Sequence, residues 1–217
     1  MTMTPRVLAG LWLALAVAGG CLAKPALVPQ IFSIDAPAAE GTRRSAGGYV
    51  LSVKKVQVSP PFDGRELLYR TGEHRLERDP YASFAAPPAD MLTAAVRGYL
   101  RNAGFARDVV EPGGELRADL LVEVHATEIA GDLRRADDAA AVLRLRFLVL
   151  ARGADRDRGP PLFEKEYSSR TRVERRTADA IATAWNVGLS EVMKAFVGEL
   201  EAVLARAPPP ATASARR

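Results

Sequence analysis

"ADLLVEVHATEIAGD", residues 118–132, decides the fold. Leu120, Val122, Val124 and Ala126 fall on one parity, and Glu123, His125 and Thr127 on the other. Strict alternation is the mark of a strand with one buried face, since successive side chains leave a strand on opposite sides. The next apolar stretch, "AAVLRLRFLVLAR" (140–152), repeats the device, with Leu143, Leu145, Phe147 and Val149 inward and Arg144 and Arg146 outward. "GADRDRGPP" (153–161) reads as a hairpin loop. "LFEKEYSSRTRVERR" (162–176) is then a third strand, with Phe163 and Tyr167 on its apolar side. Three such strands make an antiparallel meander.

Downstream of the meander lies "TADAIATAWNVGLSEVMKAFVGELEAVLAR" (177–206). Ile181, Trp185, Leu189, Val192, Phe196, Leu200 and Val203 recur at helical spacing, and Thr177 is a suitable N-cap. Upstream, a second helix is expected after Pro87 and Pro88, which suit a first turn. Its stripe is Met91, Leu92, Ala95, Val96, Tyr99 and Leu100, and Gly104 is its stop. "IFSIDAP" (31–37) reads as a brief strand, "YVLSVKKVQVS" (49–59) as one strand, and "FARDVV" (105–110) as a short one. "RELLYRTGEH" (65–74) is extended, and the segment up to the helix is a connection. The expected architecture is α+β: a single mostly antiparallel sheet with two main amphipathic helices packed on it.

The first residues have another character. From Val7 to Gly20 the chain is almost wholly apolar, flanked by Arg6 and ending in Ala18-Gly19-Gly20-Cys21. The run is shorter than the ~20 residues a membrane-spanning helix needs. It has the shape of a secretory signal, and its end resembles a lipobox, which makes Cys21 an acylation site. Cys21 is the sole cysteine, so no intrachain disulfide exists. Leu22 rather than aspartate after it favours the outer membrane by resemblance to the enterobacterial sorting rule. The expected organisation is a signal peptide (1–20), a lipidated tether (21–30), one domain (31–205) and a disordered tail (206–217).

Chemistry is sparse. The two histidines, His74 and His125, supply no metal-ligand spacing, and neither a nucleophile elbow nor a phosphate-binding glycine loop occurs. Neither catalysis, nor a metal, nor a cofactor is expected. Lys+Arg 30 against Asp+Glu 26 is a mixed surface without a basic stripe, which argues against a nucleic-acid partner. Arg170, Arg172, Arg175 and Arg176 read as a solvated sheet face, with an anionic lipid or partner surface as the alternative. Asp137 and Asp138 read as turn residues. Tyr69, Arg70, Asp79, Tyr81 and Phe84 place aromatic and charged groups between a strand and a helix, and are candidate partner-binding residues. The alternative is that Tyr81 and Phe84 pack under the helix start.

Four segments carry a resemblance: Phe32-Ser33-Ile34, Val53 to Val58, Leu67-Leu68-Tyr69-Arg70, and Asp79 to Phe84 followed by Pro87 and Pro88. In this order and spacing the chain resembles the ABC-type transport auxiliary lipoprotein family, although Phe32 stands where that family usually has tyrosine. The resemblance implies a non-catalytic envelope lipoprotein. Its implied partners are an Mce-domain substrate-binding protein and a permease–ATPase complex that moves lipid across the envelope. It also allows a homo-oligomer, formed through the meander edge or the flank of the last helix near Trp185 and Phe196. The alternatives are a periplasmic carrier holding lipid in its own cavity and an exported hydrolase.

Overall fold

The computed structural model describes residues 28–35, 48–104, 106–114, 116–152 and 158–206, side chains of 158–160 excepted. Cys21 and the signal segment lie outside the described residues, as does most of the expected hairpin loop, residues 153–157. The meander is present at full length. Strands β7 (Leu120–Asp132), β8 (Ala140–Arg152) and β9 (Arg158–Arg172) pair antiparallel in sequence order. The alternation in β7 shifts at a bulge between Ala126 and Glu128. Beyond it Ile129 takes up the buried side that Leu120, Val122, Val124 and Ala126 hold before it. A bulge inserts one residue and so exchanges the two faces.

The other edge of β7 holds three short strands, all parallel to it. β2 (Val50–Val53) lies beside its start, β3 (Gln57–Val58) beside its middle and β4 (Glu66–Arg70) beside its end. The sheet is therefore mixed, with its two longest ladders antiparallel. Strand β6 (Asp108–Val110) extends it beyond β2. Beyond β4 come β5 (Leu76–Phe84), antiparallel to it, and β1 (Gln30–Phe32), parallel to β5.

Two sequence expectations change. The single strand expected over Tyr49–Ser59 is broken between Val53 and Gln57. The first helix, α1 (Pro88–Asn102), takes over the freed backbone groups. Val56 N–H donates to Thr93 Oγ1 at 2.8 Å, and Arg97 Nη2 donates to the Val53 carbonyl at 2.8 Å. The second change is β5, a nine-residue strand where a connection was expected.

Helix α1 begins with Pro88 at its first position and ends before Gly104, whose φ of 72° only glycine adopts freely. Helix α2 (Ala178–Leu204) starts at Thr177, whose side chain accepts from Ala180 N–H. Its stripe is buried from Ile181 to Leu200, with Leu204 rather than Val203 closing it. Both helices cover the same face of the sheet. Phe147 of β8 stacks on Phe196 of α2 at 4.0 Å, and Trp185 Nε1 donates to the Val142 carbonyl at 3.1 Å. Trp185 and Phe196 are thus core residues, and the helix flank near them offers neither ring to a second copy. No helix among the described residues is long and apolar enough to cross a membrane.

Candidate docking surface

The five candidate residues divide between the core, the β4–β5 hairpin and the uncovered face of the sheet. Tyr69 points to the helix side, where its ring fills the space beside Gly131; a Cβ there would stand 2.7 Å from Tyr69 Cδ1. Its hydroxyl donates to Asp79 Oδ2 at 2.9 Å. Burial, with the hydrogen bond and charge of Asp79, raises the phenol well above its usual range. Asp79 Oδ1 accepts from Tyr81 N–H (2.8 Å) and Ala82 N–H (3.0 Å), closing the bulge that separates the two halves of the β4–β5 ladder. Phe84 is 2% exposed and packs on Trp185 with ring centroids 5.5 Å apart. Tyr81 remains 46% exposed. Arg70 reaches the uncovered face, donating to Glu128 Oε1 at 2.8 Å.

That uncovered face carries an arrangement the sequence does not announce. Glu128 holds Arg70 from β4 and also Arg144 from β8, whose Nε lies 3.3 Å from Oε2. Lys54 pairs with Glu123 at 2.6 Å, Arg146 pairs with Glu164, and Thr127 Oγ1 donates to Glu166 at 3.1 Å. His125 Nε2 is 2.8 Å from Ser59 Oγ. The outward positions of adjacent strands thus alternate in sign across the sheet, which satisfies cross-strand neighbours. In their midst is a depression of about 320 Å³ lined by Lys54, Lys55, His125, Arg146, Leu148 and Glu164 among others. Each outward residue was readable singly from the period of two. Their pairing was not, because it depends on a cross-strand register fixed by the bulge at Thr127.

Arg170 and Arg172 at the end of β9, and Arg176 just beyond it, have partners in the structure. Arg170 donates to Asp138 Oδ1 (3.1 Å) and Oδ2 (3.0 Å), and lies 3.5 Å from Asp132 Oδ2. Arg172 reaches the Asp137 carbonyl, and Arg176 the Leu133 carbonyl. These three, like Arg175, remain exposed, as a solvated face requires, and they brace the β7–β8 turn as well. Asp132, buried at the end of β7, also accepts from Arg134 Nε and Nη2. Arg134, with Arg170 behind it, lowers the Asp132 carboxyl from 3.8 to about 2.

One face of the sheet is sealed by helices and the other is open and ion-paired. Among the described residues there is no group of three His, Cys, Asp or Glu placed to hold a metal. The chain belongs to the ABC-type transport auxiliary lipoprotein component family, which matches residues 32–196, from the end of β1 into α2. It is therefore an auxiliary lipoprotein of an ABC-type transport system, a membrane-associated protein of the cell envelope. Its fold is similar to that of protein XCC0632 from Xanthomonas campestris, assigned to DUF330, with TM-score 0.71 and 18% identity over 82% of this chain and 97% of that one. It is also similar to the hypothetical protein CT253 from Chlamydia trachomatis, with TM-score 0.53 and 9% identity over 73% of this chain and 99% of that one. No curated protein matches the sequence.

Proposed function

We propose that this chain is the auxiliary subunit of an Mce-type lipid transporter, anchored to the outer membrane through acylated Cys21 and facing the periplasm. In this role it docks the Mce-domain substrate-binding protein and, through it, the permease–ATPase complex. It performs no catalysis. The observation that carries the reading is the family match, which spans the domain from the end of β1 into α2. The open sheet face, with Arg70 at one end, supplies a surface of alternating charge that suits a protein partner better than an acyl chain. The helix–sheet interior is filled by Phe147, Phe163, Tyr167 and Phe196 in mutual contact, which speaks against the carrier reading. Arg70 and the Tyr69–Asp79 pair remain the proposed partner contacts; Phe84 acts from the core.

Affinity purification of the full-length acylated protein from envelope membranes tests this. The expected outcome is recovery of an Mce-domain protein with its permease and ATPase, weakened by Arg70→Ala at unchanged melting temperature. Recovery of an unrelated partner set by a folded, lipid-labelled protein would overturn it. Self-association belongs to the same proposal. β9 is an edge strand among the described residues, and edges pair readily. Sedimentation of acyl-free domain is expected to show a closed oligomer, and a monomer at every concentration would remove that element.

A further inference from the structure

The large apolar side chains exposed among the described residues are Val28, Ile31, Tyr81, Leu116 and Val187. Scattered exposure is ordinary and needs no explanation. Three of these five, however, gather at the β1 edge. Ile31, 66% exposed, pairs with Ser83 of β5. The next pair, Phe32 and Phe84, belongs to the core side, so Ile31 and Ser83 turn away from the helices. Tyr81 stands two residues before Ser83, and Val28, 77% exposed, two residues before β1. The chain leaving β1 is held in place, because Asn186 of α2 accepts from Asp35 N–H at 2.9 Å and donates to the Ser33 carbonyl at 3.4 Å. Apolar side chains are therefore presented on a fixed edge, not on a loose end.

This edge is where the tether arrives. Seven residue steps separate Cys21 from Val28, a reach of about 25 Å at full extension. On the reading that Cys21 is acylated, we infer that Val28, Ile31 and Tyr81 form the surface on which the domain rests against the lipid leaflet. A tyrosine with aliphatic neighbours suits the headgroup boundary, where an apolar body and a polar tip are both accommodated. A partner strand is the poorer occupant, since β1 has three residues and Pro29 directly before it, and short edges with proline resist pairing. Charges nearby are balanced: Arg78 lies 3.2 Å from Glu66, and Arg75 pairs with Glu77 at 2.5 Å. The contact is apolar in origin and independent of anionic lipid. With the β1 end of the open face on the leaflet, the part of that face over β7, β8 and β9 and the β9 edge stay free for protein partners.

The acylated full-length protein offers a direct test. Its sole cysteine is the anchor, so an introduced cysteine is the only free thiol. Ile31→Cys, Tyr81→Cys and Leu116→Cys carry a bimane label in phosphatidylcholine vesicles containing a lipid with a headgroup nitroxide. Leu116 is the control: it is 47% exposed but precedes β7, at the opposite end of the sheet from the β4–β5 hairpin. The expected result is quenching several-fold stronger at positions 31 and 81 than at 116, unchanged by added phosphatidylglycerol or by salt. Equal quenching at all three, with fatty-acid label present on the protein, overturns the leaflet contact and leaves the anchor standing. Absence of the fatty-acid label overturns the anchor and the contact together. Quenching at 31 and 81 that requires phosphatidylglycerol overturns the apolar origin.

Discussion

Thr93 shows how a single hydroxyl decides the course of a strand. Its Oγ1 accepts from Val56 N–H and donates to the Ala89 carbonyl at 2.5 Å, in a position 6% exposed. A buried N–H without an acceptor costs about 1–3 kcal/mol, so Thr93→Val is expected to lower stability by that amount in a urea titration, with Thr93→Ser near wild type. Equal stability of the two variants would show that the break between β2 and β3 has another cause. Asp132 is the second such residue. Its folded carboxyl titrates at about 2 instead of 3.8, through the hydrogen bond from Arg134 first and Arg170 last. A lowered carboxylate stabilises fully above its unfolded pKa and loses that contribution as pH falls through the folded value. The melting-temperature gap between wild type and Asp132→Asn is expected to be constant above about pH 5 and to close toward pH 2. A gap that persists at pH 2 would mean the effect is steric. Neither role was legible in the sequence, where Thr93 sits off the apolar stripe and Asp132 ends an alternating run. Beside its near neighbour, each also has a distant partner, Val56 at 37 residues from Thr93 and Arg170 at 38 residues from Asp132.

At the scale of elements, legibility followed periodicity. β7, β8 and α2 were readable because each keeps one period over a long run and buries one side. β5 was not, because Glu77, Arg78, Asp79 and Pro80 interrupt any alternation; what makes it a strand is pairing with β4 and β1 on its two sides. The docking surface was half legible: outward residues could be assigned, but not which cation meets which anion. The seat of α2 on β9 was invisible as well, since it rests on Gly188. A Cβ at that position would lie 2.6 Å from Ser169 Oγ and 3.0 Å from Ser169 Cβ. Overpacking of this kind costs about 1–3 kcal/mol, so Gly188→Ala is expected to destabilise by that much. Ser169→Gly in the same chain should recover most of the loss, a coupling that independent sites do not show. Additive losses would place the strain elsewhere.

For the whole molecule, the core is packed beneath the two helices and the charges lie paired on one open face. The arrangement along β7 carries a further consequence, for the order in which the chain can become structured. β2, β3 and β4 have no long partner among residues that precede them; the strand against which all three lie begins only at Leu120. Contacts of such sequence separation form slowly, because loop closure must come before they stabilise anything. A chain that emerges from its N-terminus onward is therefore expected to leave the valines and leucines of its first half uncovered until β7 has followed. A chain stopped after Arg117 is expected to show no cooperative unfolding and to bind a hydrophobic dye, while one stopped after Arg206 melts in a single transition. Cooperative melting of the shorter chain would show that β4, β5 and α1 nucleate alone, and that the late strand merely joins a structure already formed.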